Sequence, residues 1–408
     1  MKVVIVCHYF YPEIGAPSSR WLDIGKVWAA SGHEVHVITA FPNHPTGVIP
    51  APYRGKLRMT ECIEGMTIHR NYVYATPNEG IFKKTLGHIS FMISSVLFSL
   101  FNVKRPDVII VSSPTLFSVI SGYLFSLVHR APFVFEVRDL WPDAVIKLGL
   151  LRNRFMIQAL EKLEMFMYRR SRLVITVTEA FKRNIVSRGI ARTKVEVITN
   201  GVDVSLFHER TRGEGDDLTA RMGWQGYKVL LYAGAHGISQ GLSTLLDVAK
   251  VLQDERELLF VFVGEGAEKK ALMQYARELQ LTNVQFLEPL TDKEQLLQLY
   301  HAAYVSFVPL RNLSLFDDYI PSKMFEILAS GCPIIASISG EAAEILRLSG
   351  GAVVVPPEQV EELIAAVRWL VANPDKRATY AEQGRQYVKT NYSRQLLAEQ
   401  YMRYLEVL

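Results

Sequence analysis

Short runs of β-branched and aliphatic residues alternate with helix-spaced stretches along the whole chain, and the series is completed twice. Near the start, Val3 to Val6 reads as a strand, and Trp21, Ile24, Val27 and Trp28 share one face of a helix over Arg20 to Ser31. Gly32 ends that helix before a second strand at Val35 to Thr39. A proline-rich loop follows, then a hairpin turning at Glu64-Gly65. DVIIVSS, a helix from about Thr115, PFVFEVRD and LVITVT complete the first series. A second series runs KVLLYAG, LLFVFVG, VQFL, YVSFVPL, PIIAS and AVVV, with helices between. Runs that are apolar on both faces suit parallel strands covered by helices on each side. The fold class is therefore α/β, with two Rossmann-like doubly wound domains.

A chain of 408 residues is larger than a single core normally becomes. The seam lies near Asn200 to Gly215, where VEVITNGVD closes the first sheet and the charged HERTRGEGDD carries no periodicity. The expected domains are 1–205, 206–385, and a terminal helix, 386–408, packing back on the first. The formal charge of +4 leans toward anionic partners such as nucleotides or acidic lipids, and is too small for a nucleic-acid footprint. Three widely spaced cysteines, Cys7, Cys62 and Cys332, form no metal-ligand or disulfide pattern, which suits a reducing cytoplasm. The apolar run at the N-terminus is too short for a signal peptide. Leu86 to Asn102 is too short and too polar to span a bilayer, so a buried or surface-lying helix is expected there.

Ligands of open α/β sheets bind beyond the carboxyl ends of the strands, and two such domains facing one another would make a cleft walled by those ends. After the first strand, Gly15 and Ala16 sit where the chain turns into a helix, with Ser18 or Ser19 as its cap. Glu13 and Arg20 flank the turn without being needed for it, so a binding role stands beside the plain reading of a capped turn. In EVRDLWPD, Glu136, Arg138, Asp139 and Asp143 crowd one strand end, where charges are costly unless paired or used. A structural ion pair is one reading; an acid and a cation facing a cleft is the preferred one.

In the second domain, YAGAHGISQG follows a strand, and Gly234, Gly237 and Gly241 free the backbone for amides that hold phosphate. The loop lacks the GK[ST] ending of a P-loop. VGEGAEKK is an incomplete dinucleotide fingerprint, because Lys269 stands where a third glycine belongs. The most informative stretch is FDDYIPSKMFEILASGCPIIAS, where Ser322 reads as an N-cap and Lys323 and Glu326 follow in the next turn. A helix start with a lysine suits a diphosphate, and a carboxylate such as Glu326 can accept from two vicinal ribose hydroxyls.

PEIGA, GHEVHVIT, FEVRDLWPD, ITNGVD, YAGAHGISQGL, VGEGAEKK and PSKMFEILASGCPIIAS, in this order, resemble the family-4 retaining glycosyltransferases of the GT-B fold over essentially the whole chain. EVRDLWPD with PSKMFE looks like the bacterial surface-polysaccharide subgroup that includes N-acetyl-fucosamine transferases. The resemblance implies two facing Rossmann-like domains, an acceptor-binding N-terminal one and a C-terminal one for the nucleotide sugar. It implies that Glu326 meets the donor ribose. Seven intervening residues separate it from position 318, where the family has an acid that contacts the donor sugar; here that residue is Asp318 rather than glutamate. The family's usual Arg and Lys after the first donor-domain strand are absent, and His236 and Gln240 stand in that loop. Weight therefore shifts to Lys323 and to the amides near Gly237.

The implied reaction moves a sugar, such as an N-acetylated hexosamine or deoxyhexosamine, from a UDP-sugar to a glycan or polyprenyl-diphosphate-linked acceptor. Lys323, Asp139 and Arg138 are the expected catalytic residues. Gly15, Gly237, Gln240, Asp318, Ser322, Lys323 and Glu326 are the expected donor-binding ones. No cofactor or metal is implied beyond the UDP-sugar co-substrate; Asp317-Asp318 is a pair in the wrong context for a bridging ion. A UDP-sugar 2-epimerase of the same fold and a non-catalytic nucleotide-sugar-binding module are the alternatives. Lys83, Lys84, Lys104 and Arg105 flank the apolar stretch from Leu86 to Asn102, so a peripheral position on the inner face of the plasma membrane stands beside a core-helix reading.

Overall fold

A computed structural model describes the chain except residues 14, 45, 77–79, 114–115, 144–145, 147–150, 208–215 and 291, and except the side chains of 80–82 and 216–217. The chain divides into two compact units, Met1–Asn200 with Arg394–Leu408, and Gly201–Ser393. The expected boundaries at 205 and 385 therefore move. The helix Pro374–Asn391 runs unbroken through position 385, so the chain changes unit only after Ser393.

The first unit holds β1 (Lys2–Val6), β2 (Glu34–Ala40), β3 (Arg58–Ile63), β4 (Met66–Asn71), β5 (Val108–Ser112), β6 (Phe133–Val137), β7 (Leu173–Thr176) and β8 (Val195–Val197). They form one sheet in the order β3-β4-β2-β1-β5-β6-β7-β8. All neighbours are parallel except the β3–β4 hairpin. Strand order reverses between β1 and β5, so the switch point, where open sheets leave a crevice, lies at the carboxyl end of β1. Helices α1 (Ala16–Ala30), α2 (Gly80–Ser99) and α3 (Leu116–His129) cover the sheet. The helix Arg394–Glu406 packs on α1, where Tyr401 meets Trp21 and Trp28, and Trp28 Nε1 donates to the Ala398 carbonyl at 2.8 Å.

The second unit holds β9 (Lys228–Ala233), β10 (Leu258–Val263), β11 (Val284–Leu287), β12 (Val305–Pro309), β13 (Ile334–Ser337) and β14 (Ala352–Val355). All are parallel, in the order β11-β10-β9-β12-β13-β14, and the reversal falls between β9 and β12. Two apolar layers sandwich this sheet. Met324, Phe325 and Leu328 belong to one, Leu245, Leu246 and Leu363 to the other.

Helix α1 begins at Ala16, four residues before the expected start. Gly15 is its N-cap and makes no side-chain bond, so Ser18 and Ser19 lie inside the first turn instead of capping it. Pro17 accounts for the shift, because proline at the start of a helix sacrifices only an amide that has no partner there.

Candidate active site

In the second unit the chain leaves β9 through Gly234, whose φ of +147° disfavours any side chain. Lys323 occupies the space this glycine leaves: a Cβ there would lie 2.6 Å from Lys323 Nζ. That ammonium sits 4.1 Å from the Tyr232 ring centroid and donates to the Tyr232 hydroxyl at 3.0 Å. The Tyr232 hydroxyl donates in turn to the Ala235 carbonyl at 2.6 Å. Burial brings the lysine down to about 7, with Glu326 opposing the shift. A lysine desolvated against a neutral phenol regains its charge most readily where an anion approaches it.

The neighbouring turn explains VGEGAEKK. Gly264 backs onto Gly234, where a Cβ would come within 1.9 Å of the Gly234 oxygen, and Gly266 lies equally tight against His236. His236 N donates to the Glu265 carbonyl, and Glu268 N donates to the His236 carbonyl, both at 2.9 Å. These glycines therefore serve backbone-to-backbone packing of two loops. His236 is fully buried, and neither ring nitrogen has a hydrogen-bond partner. Burial and the nearby Lys269 hold it neutral, at about 4. Gly237 faces open space, while Gln240 Nε2 donates to Ser239 Oγ at 2.9 Å.

Lys323 opens a seven-residue helix, Lys323–Ala329, with Glu326 half-buried one turn on. The expected cap fails. Ser322 already has helical φ and ψ and makes no side-chain cap bond, because the turn is opened by Met324 N donating to the Pro321 carbonyl at 3.1 Å. So short a helix adds little dipole, and the lysine supplies most of the positive charge. Asp318 is half-buried at the end of the turn Ser314–Asp318. Its neighbour Asp317 anchors that turn by accepting from Ser339 Oγ and packing its carbonyl against Gly340.

In the first unit, Glu13 and Arg20, which flank the turn after β1, both have partners within the chain. Glu13 accepts from the amides of Phe10, Asn43 and His44 at 3.2, 2.8 and 2.8 Å, tying the loop after β1 to the loop after β2. Arg20 is fully buried, donates to Glu136 at 3.0 and 3.1 Å, and caps the carbonyls of Ile198 and Thr199. Ser112 completes the Glu136 carboxylate at 2.9 Å. Beyond this pair stand Arg138 and Asp139. Arg138 is buried, its amide donates to Ser113 Oγ at 2.8 Å, and its Nη1 has no hydrogen-bond partner among the described residues. Burial lowers this guanidinium to about 10, against the pull of Glu136. Burial raises the Asp139 carboxyl, and Arg138 opposes that rise. Among the described residues, a Cβ placed on Gly15 would meet only Pro17, at 3.7 Å.

Two family descriptions match, one per unit: "Glycosyltransferase Family 4" over residues 18–206 and "Glycosyl transferases group 1" over residues 220–387. The chain belongs to the family-4, group 1 glycosyltransferases. Among curated relatives it is similar to WcaI of Escherichia coli K12, a protein named for a glycosyl transferase role in colanic acid biosynthesis, at 29% identity over 98% of this chain and 99% of that one. It is also similar to D-rhamnosyltransferase WbpZ of Pseudomonas aeruginosa, at 26% identity over 56% of this chain and 57% of that one. Its fold matches Anabaena HepE solved with UDP-glucose, with a TM-score of 0.75, 17% identity and complete coverage of both chains.

Sequence reasoning on this glycosyltransferase missed a histidine cluster beyond β1. The His8 ring lies 4.6 Å from both Tyr9 and His88, and Tyr9 lies 5.3 Å from His44. Nδ1 of His8 and of His88 are buried with no hydrogen-bond partner among the described residues. Burial holds His8 far below its usual value and His88 near 4, so both are neutral. His8 and His44 each follow a strand, and that position was a usable signal. His88 sits within α2, and only the tertiary fold brings it there.

Proposed function

We propose that this glycosyltransferase moves a glycosyl group from a UDP-sugar to a hydroxyl of a glycan or polyprenyl-diphosphate-linked acceptor, with retention, in surface-polysaccharide assembly. The observation that carries the reading is the Lys323 amine, buried against the turn at Gly234 and donating to the neutral Tyr232 hydroxyl at 3.0 Å. The HepE structures with UDP and UDP-glucose, and the colanic acid role in the name of WcaI, support the choice of donor and pathway.

In the reaction the bond from the anomeric carbon to the β-phosphate oxygen breaks, and a bond from that carbon to the acceptor oxygen forms. The acceptor proton passes to the departing diphosphate. Charge grows on that diphosphate in the transition state, and Lys323 with the amides near Gly237 stabilises it. His236, neutral with two unused nitrogens, donates one further hydrogen bond. Glu326 accepts from the ribose hydroxyls, and Asp318 and Gln240 bound the sugar pocket. Arg138 and Asp139 orient the acceptor. The favoured sugar class is an N-acetylated hexosamine or deoxyhexosamine.

The test is a panel of UDP-, GDP- and dTDP-sugars screened for nucleotide release with lipid-linked acceptor. Release from a UDP-sugar that Lys323→Met abolishes supports the reading; release from none of the panel overturns it. Epimer formation without any acceptor would instead favour the 2-epimerase.

A further inference from the structure

The opposite rim of the first unit, at the amino ends of its strands, carries a feature that sugar transfer does not use. Neighbouring strands there are entered through cations. Exposed Lys104 and Arg105 precede β5, Arg130 precedes β6, and Arg169, Arg170 and Arg172 precede β7. These loops are contiguous. Lys2 Nζ at the start of β1 reaches the Lys104 carbonyl at 3.4 Å, Arg172 N donates to the Phe133 carbonyl at 2.6 Å, and Lys194 Nζ before β8 donates to the Arg169 carbonyl at 2.8 Å. Asp107 is the only acidic residue from Gly80 to Phe135, and its carboxylate is held by the Lys2 amide at 2.6 Å.

Beside this row the ends of α2 and α3 are bound together, with His129 Nε2 2.6 Å from the Leu100 carbonyl. Their outward faces are apolar. Ile93, Leu97 and Phe101 follow one another at four-residue spacing, and Leu97 and Phe101 are 71% and 73% exposed. Leu124, Leu127 and Val128 are exposed on α3. Among the described residues, neither helix is long and apolar enough to cross a bilayer. Such a cluster next to a row of cations is complementary to one kind of surface, an apolar layer edged with negative charge.

We infer that the α2–α3 face with the cationic rim of β5 to β7 docks on an anionic phospholipid bilayer, with Leu97, Phe101 and Leu127 entering the headgroup–acyl boundary. Nucleic acid would use the cations and leave the leucines and phenylalanine without a role. The inference does not depend on the donor or on the reaction.

Flotation of the full chain with phosphatidylcholine vesicles, with and without phosphatidylglycerol, tests it. The protein should float only with the anionic vesicles, and less so as salt rises. Leu97→Asp with Phe101→Asp, and separately Arg105→Glu with Arg130→Glu, should each lower the bound fraction about tenfold or more. Both pairs are surface substitutions, so UDP binding and the circular dichroism spectrum should stay as in the parent and mark a folded protein. Parent protein left unbound by the anionic vesicles would overturn the inference. So would flotation unchanged in both variants, or a parent dimer that Leu97→Asp with Phe101→Asp turns to monomer without any vesicle binding.

Discussion

Both units place charge at the carboxyl end of a central strand, and they treat it in opposite ways. In the first, Arg20 and Glu136 are fully buried yet completely engaged, with each other, with Ser112 and with two carbonyls. In the second, Lys323 leans on a neutral phenol, and His236 is buried with both nitrogens unused. A buried charge whose every hydrogen bond is met inside the chain holds the fold together. One left unmet costs stability that a ligand can return.

The largest effect should come from breaking the satisfied pair. Arg20→Met leaves Glu136 buried and uncompensated, and the first unit should lose about 3–5 kcal/mol, read as a lower midpoint in urea unfolding. Lys323→Met should do the reverse to the resting protein. Its amine is held at about 7 in the folded state, below the value of a free lysine, so folding disfavours its proton across the window between those values and below. The variant should therefore melt higher at neutral pH while turnover falls about 100-fold or more. A parent-like rate in single-turnover assays would refute the assignment of Lys323.

Gly264→Ala tests the packing that presents the loop. Its methyl would meet the Gly234 oxygen, at a cost of about 1–3 kcal/mol, with weaker UDP binding as the second readout. His236→Asn should leave stability near that of the parent and weaken UDP about tenfold, measured by calorimetry; equal affinity would remove His236 from the site.

At one pH unit above neutral the expected effect is small, and it is a pH dependence. Diphosphate favours the protonated lysine, so affinity should be complete below about 7. Above it, affinity should fall by up to about tenfold per pH unit until the amine of the complex itself titrates. Binding at pH above 7 should take up a proton that Lys323→Met does not take up, and subtracting the variant removes the ionisation of UDP itself.

Much of this was readable from residue order. Strands and helices announced themselves by period, and the presence of Lys323 and Glu326 in one short helix followed from their spacing. What stayed hidden was which charges were already spoken for. Glu13 and Arg20 looked idle beside the first turn, and their partners, the amides of Asn43 and His44 and the carboxylate of Glu136, lie far along the chain. Ser322 looked like a cap, but the turn opened one residue earlier, at Pro321. The glycines of VGEGAEKK imitated a nucleotide fingerprint because any close backbone crossing needs the same missing Cβ.

The sequence alone determined two mainly parallel α/β sheets and the order of their elements, since periodicity and composition act over neighbouring residues. The tertiary structure decided which buried charges are satisfied, that Lys323 lies over Gly234, and that His88 joins His8. Those outcomes depend on contacts between residues tens to hundreds of positions apart, and local pattern carries no record of such distances.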